Sequence, residues 1–126
     1  MSLAKKMFID SSVLVPCVGL PAEVDLGDIH PWCGSLDAAR AMVSEGKSPS
    51  MFIFVESQAQ LESISTELLE CWNSKQTFWL FYPKKPHLDT DLGRDKTYEI
   101  MKKAGMSGTR QVGVDSLWSC LYFKAK

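Results

Sequence analysis

The sequence predicts an α/β domain: a largely parallel sheet of about five to six strands, helices on both faces, and a closing antiparallel hairpin. Three observations carry this. The runs Val13–Val18, Met51–Val55 and Thr77–Tyr82 are almost continuously apolar, as strands buried on both faces are. Helical periodicity follows the second and third runs, and a shorter helical segment precedes the second. The chain then finishes with two strand-like segments, Thr109–Val114 and Leu117–Phe123, around the turn Asp115-Ser116.

The elements read in order as follows. Leu3–Ile9 predicts a short helix that ends near Asp10-Ser11-Ser12. Val13–Val18 is the first strand. Pro16 within it implies a bulge or an early end to the pairing, because proline has no N–H for a ladder. Gly19-Leu20-Pro21 turns the chain, and a short strand is expected around Val24–Ile29. Ser35 is a helix N-cap, Leu36, Ala39 and Val43 form one helical face, and Gly46 ends the helix. Met51–Val55 is the second buried strand. Ser57 and Gln60 make a capping box for a helix over Gln58–Asn73, with Leu61, Ile64, Leu68 and Cys71 on its buried stripe. In Thr77–Tyr82, Phe78, Leu80 and Tyr82 face one way and Trp79 and Phe81 the other, so both sheet faces need cover. Asp95–Ala104 predicts the last helix, with Lys102 and Lys103 in its final turn and Gly105 after it.

The chain has 126 residues and is 45% hydrophobic, which suits a single domain over residues 1–126 with one core. Its net charge is −1, from 14 basic and 15 acidic residues. Neither nucleic acid nor a membrane surface is therefore an expected partner. No apolar run approaches the ~20 residues of a bilayer span, and no leader pattern opens the chain. A cytoplasmic location is expected, with Cys17, Cys33, Cys71 and Cys120 reduced, since none forms a C-x-x-C pair.

Certain strings carry a family resemblance: LAKKMFI, VLVPCVG, TFWLFYPKK, TDLGRD and RQVGVDSLWS. They resemble a small bacterial domain-of-unknown-function family whose members look like shortened S-adenosylmethionine-dependent methyltransferases. The resemblance runs from about Leu3 to Phe123 and is most specific in YPKK…TDLGRD. It implies a Rossmann-like, methyltransferase-like sheet whose last strand is antiparallel. It supplies no reaction, because activity resides in a site and not in a fold. Methyltransferases place a glycine-rich turn after the first strand. Here that turn is Pro16-Cys17-Val18-Gly19-Leu20-Pro21, with too few glycines and backbone donors to hold the cofactor, so none is expected.

The candidate site is cationic. Lys84 and Lys85 leave the third buried strand at the carboxyl edge of the sheet, where open α/β sheets bind ligands. Arg94 lies near the start of the following helix, whose free N–H groups favour anions. These three residues predict an anion site, and Asp89, Asp91 and Asp95 compete for the same cations. The competing expectation is a solvated loop, with Thr90 or Asp91 capping the helix and Arg94 paired to a carboxylate. Other motifs carry less. Gly46-Lys47-Ser48 lacks the upstream glycine of a phosphate loop and follows a helix. Gly105-Met106-Ser107-Gly108 fails as a nucleophile elbow at Thr109. His30, Cys33 and Asp28 lack a further ligand pair for zinc. Trp118 either packs under the sheet edge or lines a pocket.

These observations lead to a non-catalytic or degenerate methyltransferase-like domain that binds a small anionic ligand or a protein partner at the carboxyl edge. The alternative is an active minimal methyltransferase.

Overall fold

The computed structural model describes residues 3–7, 9–10, 12–84, 91–115 and 117–124. Lys85 therefore lies outside the described residues. The elements are α1 (Leu3–Lys6), β1 (Leu14–Val18), β2 (His30–Cys33), α2 (Leu36–Ser44), β3 (Met51–Phe54), α3 (Gln58–Asn73), β4 (Phe78–Pro83), α4 (Gly93–Lys103), β5 (Arg110–Gly113) and β6 (Trp118–Phe123). They build an α/β fold around one mixed six-stranded sheet of order β2-β1-β3-β4-β6-β5. Strands β2, β1, β3 and β4 are mutually parallel. Strand β6 runs against both β4 and β5.

Local chemistry sets the boundaries. Ser57 Oγ accepts from Gln60 N at 3.1 Å, and Gln60 Oε1 accepts from Glu56 N at 2.7 Å. These bonds start α3 at the expected residue. The helix ends where Lys75 takes a left-handed φ of 63° and Gln76 N–H returns to Cys71 O at 2.9 Å. Ser35 Oγ caps α2 by accepting from Ala38 N at 3.2 Å.

Both prolines in the first two strands have positions that explain them. Gly34 N–H donates to Cys17 O, so the odd-numbered residues of β1 bond toward β2 and the even-numbered ones toward β3. Pro16 thus faces β3, and the β1–β3 register begins only at Cys17. By the same alternation Pro31 faces outward from the β2 edge, where it removes a donor that another strand would use.

The expected strand around residues 24–29 is corrected by the structure. Those residues are irregular, and the strand is His30–Cys33. Val24, Leu26 and Ile29 are apolar because they pack onto a sheet face, not because they pair. Strand β2 is exposed at all four positions, so it carries no hydrophobic pattern to read.

Each sheet face has its own core. On one, Cys17, Phe52, Phe54, Trp79, Phe81, Trp118 and Cys120 pack with Ala4 and Met7 and with the buried residues 24, 26 and 29. On the other, Met51, Ile53, Phe78, Leu80, Tyr82 and Phe123 pack beneath Ala39 of α2, Leu61, Leu68 and Cys71 of α3, and Met101 of α4. Helical cover is unequal: α2, α3 and α4 serve one face, and the single turn of α1 serves the other.

Candidate functional site

The parallel strands all end at one edge of the sheet. There the cores give way to Gly19 after β1, Glu56 and Ser57 after β3, and Lys84 after β4. Between β4 and the first turn of α4 lies an open cleft of about 490 Å³, lined by Tyr82, Lys84, Arg94, Asp95, Lys96, Glu99 and Gln111 among others. Lys84 and Arg94 are thus brought to one cleft. Lys96 joins them, a residue marked in the sequence only by its place in the first helical turn.

Three cations line the cleft, and each is only lightly engaged among the described residues. The Lys84 ammonium donates to the main-chain oxygen of Asp115 at 2.7 Å, while its own N–H donates to Leu117 O at 2.8 Å. A carbonyl holds the ammonium in place without neutralising it. Arg94 Nε lies 3.4 Å from Asp95 Oδ1, and those side chains are 63% and 94% exposed. Lys96 Nζ lies 3.6 Å from Glu99 Oε1. Exposed pairs of that length are worth about 0–1 kcal/mol, so an anion with better geometry competes with them.

The floor of the cleft is polar and built. Tyr82 is fully buried at the end of β4, and its hydroxyl accepts from Gln111 Nε2 at 3.1 Å. Gln111 Nε2 also lies 3.3 Å from Ser119 Oγ, which donates to Val112 O at 3.1 Å. Burial pushes the Tyr82 hydroxyl above its usual range; the Ser119 hydrogen bond and the Arg94 charge pull the other way. Tyr82 therefore stays protonated at neutral pH. Sequence reasoning missed the Tyr82–Gln111 pair. The one legible signal was a tyrosine closing an otherwise apolar strand.

The first turn of α4 borders this cleft, and among the described residues it has no side-chain cap. Of the two caps named in the competing expectation, Asp91 is engaged elsewhere: its carboxylate accepts from Gln58 N at 2.9 Å, and its carbonyl accepts from Gln58 Nε2 at 2.6 Å. Asp91 thus serves the N-terminus of α3, and no other described side chain caps α4. Asp95 supplies the only acidic charge in the first turn of α4. Asp115 is also committed, since its carboxylate accepts from Leu117 N and Trp118 N at 2.8 and 2.7 Å. Thr90 and Asp89 lie outside the described residues.

The crevice between β1 and β3, where strand order reverses, is a different environment. Gly19 has a φ of +76°, and a Cβ there would meet Phe54 O at 3.2 Å. The one glycine of this turn lets β1 approach β3 closely and leaves no flexible glycine-rich loop beside it.

The remaining motifs fall away. His30 and Cys33 sit three residues apart on β2, hence on opposite faces. No cluster of metal-ligating side chains occurs among the described residues. Gly46 ends α2 and Gly105 ends α4, so neither glycine joins a strand to a helix. Trp118 is buried and meets Phe54 edge-on at 5.9 Å, as a core residue. No helix among the described residues is long and apolar enough to cross a membrane. No protein-family model matches the sequence, and no curated protein matches it.

Proposed function

We propose that this domain binds a small anionic ligand, of phosphate or carboxylate type, at the carboxyl edge of its sheet, without catalysing a reaction. The observation that carries the reading is Lys84. Its ammonium is fixed by a neutral carbonyl at the mouth of a cleft shared with Arg94, Lys96 and the start of α4, which no described side chain caps. A charged donor held by a carbonyl, with no ion pair to a described carboxylate, beside a helix start that no described side chain caps, suits an anion. Lys85, the next residue in the chain, adds a further cation to this proposal.

In this reading the domain is a degenerate, bacterial, methyltransferase-like protein of the cytosol, with a three-layer Rossmann-like sheet thinned on one face to α1 and the segment after β1. The reversed strand β6 at the closing end of a parallel sheet accords with that descent. The packing of Gly19 onto Phe54 O, flanked by Pro16 and Pro21, speaks against S-adenosylmethionine in the turn after β1. Micromolar binding of that cofactor by calorimetry would favour the active methyltransferase instead.

The test is a thermal-shift series with phosphate, pyrophosphate and carboxylates. Binding to the native state raises the melting temperature with ligand concentration. The Lys84→Ala, Lys85→Ala, Arg94→Ala triple variant is expected to remain folded and lose the shift. An equal shift in the wild type and the variant, or none in either, would remove the site.

A further inference from the structure

A second cleft, of about 410 Å³, continues from the first along α4 toward the edge strand β5. The two share Arg94, Asp95 and Gln111. They are therefore one groove with a waist. Each part falls within the range of small-ligand pockets, about 300–1,000 Å³.

The chemistry changes along the groove. At one end stand Lys84, Lys96 with its partner Glu99 and, at the boundary, Arg94. At the waist are the Asp95 carboxylate and the Gln111 amide. Gln111 Nε2 is engaged with Tyr82 and Ser119, which leaves its Oε1 pointing no bond at the described residues. At the far end Tyr98 and Leu121 line the cleft, with Arg110 and Thr109 on the β5 side. Tyr98 is 42% exposed, whereas Tyr82 is buried. It makes no ring contact with another described aromatic, unlike Tyr122, which packs against Trp79 at 4.4 Å.

Resting on the anion-site reading above, we propose that this groove takes a nucleoside phosphate. Its phosphoryl group sits among Lys84, Arg94 and Lys96, where cations meet the start of α4. The sugar hydroxyls lie at the waist, donating to the acceptors Asp95 and Gln111 Oε1; a carboxylate there suits a polyol and disfavours a second phosphate. The base lies on the Tyr98 ring with Leu121 behind it, and stacking tolerates any base because each has a π-face. A bare phosphate uses one end of the groove and a bare nucleoside the other. Only the joined ligand uses both.

Calorimetry with pyrophosphate, adenosine and ADP on the full chain tests this. ADP is expected to bind at least about tenfold tighter than pyrophosphate, as stacking on one aromatic ring provides. Tyr98→Ala should weaken ADP about tenfold while leaving pyrophosphate unchanged, and Tyr98→Phe should keep wild-type affinity. Lys84→Ala should weaken both phosphates. Circular dichroism on the same variants verifies that each is folded. Equal affinity for ADP and pyrophosphate, or ADP binding indifferent to Tyr98→Ala, would overturn the nucleoside phosphate and leave the anion site standing. Adenosine binding as tightly as ADP would overturn it as well, since the phosphoryl end would then contribute nothing. Failure of pyrophosphate and ADP alike would overturn the anion site itself.

Discussion

Replacing Trp79 tests whether the sheet face served only by α1 and the segment after β1 is sealed. Trp79 is in β4 with no exposed surface. It packs against Tyr122 at a centroid distance of 4.4 Å, within the core that includes Phe52 and Phe81. Its indole N–H has no hydrogen-bond partner among the described residues. Trp79→Ala removes the ring and leaves a cavity, a change that costs about 3–5 kcal/mol. That is a large part of the roughly 5–15 kcal/mol that holds a domain folded. Trp79→Phe keeps an aromatic ring against Tyr122 and also deletes the unpartnered N–H, whose burial costs about 1–3 kcal/mol. The two effects offset, so Trp79→Phe should cost about 1 kcal/mol or less. Urea unfolding followed by far-ultraviolet circular dichroism measures both variants without relying on tryptophan emission. A Trp79→Ala loss under about 1 kcal/mol would refute the sealed face. A Trp79→Phe loss equal to that of alanine would refute the role given to the unpartnered N–H.

Three further outcomes follow from particular residues. Lys75 holds a φ of 63° after α3, so Lys75→Gly should stabilise the fold by about 0.5–1 kcal/mol, read as a higher urea midpoint. Asp91 bonds the first amide of α3, and Asp91→Ala should cost about 1 kcal/mol by the same assay. Burial pushes the Cys17 thiol up to about 12, from an ordinary value of 9.0. Above pH 9 the unfolded chain therefore loses a proton that the native state keeps. The stability this thiol contributes is complete below pH 9 and declines toward pH 12, with a limiting slope of about 1.4 kcal/mol per pH unit. Burial also raises the Cys71 and Cys120 thiols, so urea midpoints at pH 8, 10 and 11 should fall in order, and Cys17→Ala should shallow the fall. A midpoint independent of alkaline pH would contradict the buried, protonated thiols.

The sequence carried the interior of the fold better than its edges, for a physical reason. Strands β3 and β4 are buried on both faces, so each apolar position reports a contact, and the opposite orientations of Phe78 and Trp79 were legible. Helix α3 was legible to the residue because Ser57 and Gln60 act within one turn. Strand β2 was not, because His30, Pro31, Trp32 and Cys33 are all exposed and bury no pattern. The cleft was half legible. Lys84 and Arg94 stand out as cations flanking a strand end and a helix start. Their partners do not, since Lys84 ends on the carbonyl of Asp115, and Asp91 serves a helix that begins with Gln58, far back in the chain. Such pairings depend on which elements the sheet order makes neighbours. No local spacing encodes them.

The central claim is that anions bind at the carboxyl edge beside α4. A two-dimensional amide NMR titration with pyrophosphate tests it most directly. Saturable shifts are expected at residues 84, 93–96 and 111, with Gly19 and Ser57 unmoved. Shifts centred on Gly19 and Ser57, or none anywhere at millimolar pyrophosphate ~100-fold above the protein concentration, would contradict it.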